Sequence, residues 1–385
     1  MISYGRQTID QSDIDAVIDV LKSDYLTQGP AVETFEKSLL EKFGPGFCSV
    51  VSNGTAALHI TGLALGWSEN DIIIMSPLTF LATSNSVLYC GATPDFCDIN
   101  REDYTIDLNK LEKKIKSYEQ KGKKVKAVIG VDFAGHPCDW SSLRAIADKY
   151  NLQLVNDNCH AAGASYKGKI NYALNYADVV THSYHPVKPL TTGEGGAIFT
   201  KDKGLDSQIK KLRSHGMVKD ENKMKEKGTW FYEMRSLGFN YRLSDIHAAL
   251  GISQLKKLEE FTIKRNSIAA IYNDSLKNKL NMTLPLASAD VSHSYHLYPL
   301  LIDFEKENLN KVEFFFEMKK KGINLQVHYI PIHLQPFYKQ RFNYKAGDFP
   351  VAEDFYNKEV SLPIFPSLLS EEQEHVLKSL DELLK

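Results

Sequence analysis

The run Ala177–Asp178–Val179–Val180–Thr181–His182–Ser183 leads into Tyr184–His185–Pro186–Val187–Lys188–Pro189–Leu190–Thr191–Thr192–Gly193–Glu194–Gly195–Gly196. It then resumes as Ala197–Ile198–Phe199–Thr200. Two apolar, β-branched runs enclose a loop rich in proline, threonine and glycine, which reads as strand, constrained loop, strand. One lysine, Lys188, stands between two prolines in that loop. Proline fixes its own φ and restricts the residue before it, so the backbone carrying this amine is held. A lysine that is to form a Schiff base must be rigidly presented and must lose its proton readily, whereas a solvated surface lysine needs neither.

Outward from this segment the same texture recurs. Cys48–Ser52, Asp71–Ser76, Ala92–Asp98, Lys126–Val131 and Leu152–Val155 are short apolar runs that read as strands. Helical stretches lie between several of them, as from Pro77 through Leu88 and from Ser141 to Tyr150. Strands alternating with helices predict an α/β fold with a largely parallel sheet and helices on both faces. Ahead of it, Ile14, Val17, Ile18 and Leu21 have helical spacing in Asp10–Lys22, and a second amphipathic helix spans Val32–Lys42.

After Ser244 the pattern changes. A long helix is expected over Ser244–Leu276 with a break near Phe261, followed by strands at His296–Phe304 and Asn324–Tyr329. A helix at Lys311–Lys320 separates those strands. The tail Ser370–Leu384 reads as a helix opened by the capping pattern Ser370–Glu371–Glu372–Gln373. The chain of 385 residues thus divides into a larger domain over 1–245 and a smaller α+β domain over 246–385.

The bulk composition excludes several classes. Formal net charge is -2, which gives no field for nucleic acid or an anionic membrane. Lys121, Lys123, Lys124 and Lys126 cluster only as a solvated turn before a strand. No apolar run is long enough to cross a bilayer, and Met1–Asp10 has no apolar core of a secretory signal. Cys48, Cys90, Cys97, Cys138 and Cys159 are odd in number and lack metal-type spacing. They read as reduced thiols of a cytoplasmic protein with no metal site.

Two further segments would fall at strand ends, where doubly wound sheets bind ligands. Asn53–Gly54–Thr55–Ala56 resembles a phosphate cradle, with amide hydrogens at a helix start and the Thr55 hydroxyl. Taken alone it is also an ordinary strand–helix turn. Asp157 follows an apolar strand and could pair with a protonated ring nitrogen, although aspartates also cap helices.

Taken together these segments resemble the DegT/DnrJ/StrS family of sugar-nucleotide aminotransferases, which have the aspartate aminotransferase fold (fold type I). The resemblance runs from about Tyr4 to Pro366. It is carried by Leu26–Thr27–Gln28–Gly29–Pro30, Gly54–Thr55–Ala56–Ala57–Leu58, Pro77–Leu78–Thr79–Phe80, Asp157, His160, Ser183 to Lys188, and Glu194–Gly195–Gly196. Arg213–Ser214–His215–Gly216 and Gly238–Phe239–Asn240–Tyr241–Arg242 complete it. Asn156 stands where the family usually has Glu, Asn53 where many members have Ser, and Cys159 where Ser or Ala is usual.

The resemblance implies pyridoxal 5'-phosphate as cofactor and Lys188 as the catalytic, Schiff-base lysine that also shuttles the proton. It implies Asp157 on the ring nitrogen, Phe80 on the ring face, His160 near the ring's polar edge, and Thr55, Ala56 and Ser183 on the phosphate. Asn240 would reach that phosphate from a neighbouring subunit, which makes the active unit a homodimer with shared sites. For the sugar nucleotide it points to Tyr4, to Asp24, Tyr25, Leu26 and Thr27, to Asn240, and to Gln326, Val327, His328 and Tyr329. Arg242 could balance a diphosphate or a glutamate carboxylate, or form a structural ion pair.

Within the family, Ser183 to Thr192, Arg213–Met217, His296–Pro299 and Gln326–Tyr329 resemble members that use glutamate to aminate C-4 of a UDP-linked 4-keto-6-deoxy-N-acetylhexose. A bacillosamine or perosamine precursor is the alternative substrate. A 3-dehydratase on this fold would carry His in place of Lys188, and a non-catalytic sensor would not need the intact lysine, aspartate and cradle.

Overall fold

The computed structural model describes residues 1–307 and 309–384. Its centre is a seven-stranded sheet in the spatial order Phe47–Val51, Gly196–Thr200, Val179–Ser183, Gln153–Asp157, Val125–Val131, Ile72–Met75, Thr93–Phe96. Gly196–Thr200 is antiparallel to both its neighbours, and every other adjacent pair is parallel. Six strands therefore run one way. The sheet is the α/β arrangement the alternating pattern predicts.

The strands form because their residues have two apolar faces to bury. In Ile72–Met75 all four side chains are buried. Ile72 and Ile74 join a cluster with Phe35, Val128 and Leu154, while Ile73 and Met75 join another with Ile60, Ile129 and Val155. This period of two puts a core on each face and explains the uninterrupted hydrophobic runs.

A third apolar cluster lies apart from these. It joins Ile268, Tyr272, Leu300, Val360, Leu362 and Val376 around a small antiparallel sheet, Met282–Thr283, Tyr298–Ile302 and Glu359–Leu362. Ile2–Ser3 pairs in parallel with Ile323–Asn324, so the first residues of the chain lie beside this C-terminal part.

The helix Asp245–Leu276 links the cores, and no break occurs near Phe261. Leu255 and Leu258 pack into the first cluster, and Ile268, Tyr272 and Leu276 into the third. Phe261 between them is itself buried. One continuous buried stripe keeps the helix whole. Gly251 permits its close approach to Phe35, whose ring would lie 2.5 Å from an added Cβ.

Two other expectations are corrected. Only Ile323–Asn324 of the region up to Tyr329 forms a strand, and the remainder is an irregular wall held by the Ser361 amide, which donates to the Gln326 carbonyl at 2.9 Å. The last helix, Ser370–Leu383, is capped one residue earlier than the pattern suggests. The Glu372 carboxylate accepts from the Leu369 amide at 3.0 Å, and Ser370 is already helical.

Candidate active site

Because the six co-directional strands end on one edge, Asn53–Ala56, Asp157 and Ser183 are brought together there. They line a cavity of about 910 Å³ that also takes in Lys188, Phe80 and His160. Its opposite wall is Tyr4 with Gln326, Val327, His328 and Tyr329.

Asp157 ends its strand only 6 % exposed. Its Oδ2 accepts a hydrogen bond from Thr83 Oγ1 at 2.8 Å, and its Oδ1 accepts from the Cys159 amide at 3.3 Å. Thr83 is in turn 2.8 Å from Thr79 Oγ1. Two donors thus hold the carboxylate and leave it acceptor capacity towards the cavity. The strand beneath is pinned by Asp132, which accepts from the side-chain amides of Asn156 and Asn158 at 3.1 and 2.7 Å. Asn156 thus supplies a donor to a buried carboxylate, which an ionised acid at that position would not.

Lys188 is partly exposed as a residue, but its amine is enclosed. Burial lowers its pKa from the ordinary lysine value, against the opposing pull of Cys159 and Asp157. Its amide donates to the His185 carbonyl at 2.9 Å, which closes the turn between the two prolines. The amine is thus presented in the readily deprotonated condition that carbonyl chemistry requires.

His160 Nδ1 accepts from the Ala134 amide at 3.2 Å, so its proton sits on Nε2, 3.1 Å from the Tyr329 hydroxyl. Burial, then Lys188 and His328, push its pKa well below the usual histidine value and keep the ring neutral. Phe80 remains 54 % exposed although it lines the cavity, and Tyr329 is its ring neighbour at 5.9 Å.

The helix Gly54–Ala64 starts at the same edge. The Asn53 side chain caps it by accepting from the Ala56 amide at 2.8 Å, so Ala56 spends its N–H within the chain. The Gly54 and Thr55 amides make no such cap bond and remain for an anion. Gly54 is required by space: a Cβ there would lie 2.8 Å from Ser183 Cβ.

Other residues named from the sequence lie elsewhere. Asp24, Tyr25, Leu26 and Thr27 are exposed and do not line this cavity. Their turn is fastened to the long helix, with Asp245 accepting from the Gly29 and Ala31 amides at 2.8 and 3.0 Å. Asn240 is exposed and bridges to Ser214, and Arg242 bridges to Val51. Thr83, Glu194, Tyr241 and His296 line the cavity without having been singled out for it. Thr83 gave no local signal, because its partner is 74 positions away.

An enclosed amine, a held carboxylate and a helix start around one cavity, on this sheet, define a pyridoxal-phosphate-dependent enzyme of fold type I. Residues 7–381 match the DegT/DnrJ/EryC1/StrS aminotransferase family, and the chain belongs to it. The UDP-4-amino-4,6-dideoxy-N-acetyl-beta-L-altrosamine transaminase of Campylobacter jejuni serotype O:23/36 is 40% identical over 100% of this chain and 98% of its own. Among solved structures, Helicobacter pylori PseC, an aminotransferase involved in the biosynthesis of pseudoaminic acid, superposes with a TM-score of 0.89 at 35% identity. The match covers 100% of this chain and 99% of PseC. Spr1654 of Streptococcus pneumoniae, solved in its PMP form, has a TM-score of 0.89 at 26% identity and covers 98% of both chains.

The residues fit pyridoxal phosphate. The enclosed amine suits its aldehyde, the Asp157 carboxylate its ring nitrogen, and the Gly54–Thr55 amides its phosphate.

Proposed function

We propose that this enzyme moves an amino group from glutamate to C-4 of a UDP-linked 4-keto-6-deoxy-N-acetylhexose. The product would be UDP-4-amino-4,6-dideoxy-N-acetyl-β-L-altrosamine, a precursor of pseudaminic acid. The full-length likeness to transaminases of that name supports the substrate. The observation that carries the chemistry is the enclosed Lys188 amine sharing a cavity with Asp157 and the start of the Gly54 helix.

Bound pyridoxal phosphate supplies an electron sink that lets a C–H bond beside the transferred nitrogen release its proton. Lys188 holds the cofactor and its Nζ takes the α-proton of glutamate, later delivering a proton to C-4 of the sugar. Asp157 keeps the ring nitrogen protonated, with Thr83 holding the carboxylate in place. Phe80 and His160, which line the cavity, would lie against the bound ring. Thr55 and Ser183 hold the phosphate, and Ala56 contributes by completing the capped helix start.

Tyr4, Gln326, Val327, His328 and Tyr329 take the sugar nucleotide and exclude water around it. Asp24, Tyr25, Leu26, Thr27, Asn240 and Arg242 serve the cavity of a second copy, which makes the working unit a homodimer. Exposed Trp230 and Leu237, at 79 % and 76 %, support such an interface. Residues 1–245 form the cofactor-holding domain and 246–385 the smaller one. Five unpaired cysteines support a cytoplasmic setting, and no described helix is long and apolar enough to cross a membrane.

A panel of enzymatically made keto-sugars, assayed with glutamate by 2-oxoglutarate release, tests the substrate. Fastest turnover of a UDP-linked sugar lacking the N-acetyl or 4-keto group would overturn it. Borohydride reduction and peptide mapping test the lysine: cofactor mass should sit on the Lys188 peptide and vanish in Lys188→Ala.

A further inference from the structure

Behind the Gln326–Tyr329 wall lies a buried carboxylate that none of the roles above employs. Glu359 and Ser361 sit on the strand Glu359–Leu362, and both are fully enclosed. Glu359 reaches His328 by two routes. Its Oε2 accepts from the His328 backbone amide at 2.9 Å. Its Oε1 accepts from Ser361 Oγ at 2.5 Å, and Ser361 Oγ lies 2.8 Å from His328 Nδ1.

With Glu359 ionised, counting protons along this chain fixes the histidine. An ionised carboxylate only accepts, so Ser361 gives its single proton to Glu359. The serine oxygen can then meet Nδ1 only as an acceptor, and the ring proton must sit on Nδ1. Nε2 is left with a bare lone pair, and it makes no hydrogen bond with any described residue, although His328 lines the cavity. Burial, with Lys188 adding to it, lowers the pKa of His328 to about 3, so the ring stays neutral. His160 across the same cavity is held the other way round, by an amide donating to its Nδ1.

We propose that Glu359 and Ser361 are positioning residues that lock His328 as its Nδ1-protonated tautomer, so that Nε2 offers a hydrogen-bond acceptor to a hydroxyl of the sugar substrate. The substrate half of this statement rests on the keto-sugar reading above, and the tautomer half does not. A site with a fixed acceptor discriminates strongly against an analogue whose hydroxyl is missing or methylated, because the acceptor is then left unpaired.

The lock is also sensitive to pH. Burial raises Glu359 to about 7, while Ser361, Lys311 and the His328 amide pull the other way. Lys311 approaches from the helix Lys311–Lys320, and the phenols of Tyr329 and Tyr104 also feel this carboxylate. Below that pH the acid can donate to Ser361, whose own proton then turns to Nδ1. The acceptor at Nε2 becomes a donor, so the KM for the keto-sugar should rise as pH falls through about 7.

Glu359→Gln tests the lock with little change of shape. The glutamine oxygen would take the His328 amide and its NH₂ would donate to Ser361, which reverses the tautomer. Holoenzyme labelled with ¹⁵N-histidine should show a protonated Nδ1 and a bare Nε2 at His328 above pH 7, reversed in Glu359→Gln. Ser361→Ala, which keeps the carboxylate, is the second variant, and thermal unfolding checks that both fold. In each, the KM for the keto-sugar should rise about tenfold, the loss of roughly one hydrogen bond, with the KM for glutamate much less affected.

A protonated Nε2 in the wild-type enzyme overturns the lock. The expected tautomers with an unchanged keto-sugar KM in both variants overturn the assignment of Nε2 to a substrate hydroxyl. The expected tautomers with no turnover of any keto-sugar mean that the functional reading fails and the lock stands.

Discussion

Replacing Gly54 by alanine inserts one methyl group at the point where the anion-facing helix meets the end of the Val179–Ser183 strand. The added Cβ would lie 2.8 Å from Ser183 Cβ and 3.1 Å from its Oγ. Carbon atoms in contact prefer about 3.5–4.0 Å, so strand end and helix start must part by about 1 Å. Overpacking of this kind costs about 1–3 kcal/mol. The displaced groups, the Thr55 amide and Ser183 hydroxyl, are the ones assigned to the phosphate, so part of that cost falls on cofactor binding. At 1.4 kcal/mol per factor of ten the whole cost equals about 5- to 140-fold, so pyridoxal phosphate should bind more weakly by up to about 100-fold. The assay is cofactor absorbance after equilibrium dialysis, with thermal unfolding of the cofactor-free protein recorded alongside. Wild-type affinity in a Gly54→Ala protein of lowered unfolding temperature would show that the helix start does not hold the phosphate.

Thr83→Val removes the 2.8 Å donor from Asp157 with little change in volume, and the freed carboxylate should weaken cofactor binding about tenfold; unchanged affinity by dialysis would contradict its role. Capture of pyridoxal phosphate by the cofactor-free enzyme needs neutral Lys188, whose pKa is lowered by burial. Its rate should therefore rise with pH to a midpoint below 10.5, the ordinary lysine value. Asp157→Asn should move that midpoint lower still, since it removes a charge that favours the ammonium; stopped-flow rates against pH decide both. Leu237→Asp places a charge on the exposed apolar patch beside Phe239 and Tyr89 and should give a monomer in sedimentation velocity with turnover down at least about tenfold.

The central-sheet strands were legible because most are apolar on both faces, and their ends fall within two residues of the sequence reading. Lys188 was legible for a related reason: its two prolines and the glycines after it are local, and local constraint is what a sequence displays. Asp157 and Thr55 could be placed at strand ends but not brought together, since only the sheet order does that. Thr83, Asp132 and Glu359 were invisible, because each acts through partners far along the chain or through a second hydrogen bond. The expected break near Phe261 failed for the opposite reason. A break inferred from local pattern gave way to a helix packed on two cores at once.

The cavity is lined by the sheet edge on one side and by Gln326–Tyr329 on the other, and that determines what each wall can change. The sheet edge and the loop beyond it supply the amine, carboxylate and helix start, with hydrogen bonds holding the Lys188 backbone, the Asp157 carboxylate and the Ala56 amide. The opposite wall comes from the C-terminal part and is tied back by Tyr329 to His160 and by Ser294 Oγ, which donates to the His160 carbonyl at 3.0 Å. His160 is thus held by the Ala134 amide from the sheet edge and by Tyr329 and Ser294 from the C-terminal part. A mutation in the sheet edge should change how the cofactor is held, whereas one behind the wall, as at Glu359, should change which sugar is accepted. Fixed acceptors and donors on that wall can diverge without disturbing the amine and carboxylate. That separation lets one aminotransferase scaffold present the same lysine to differently hydroxylated sugars.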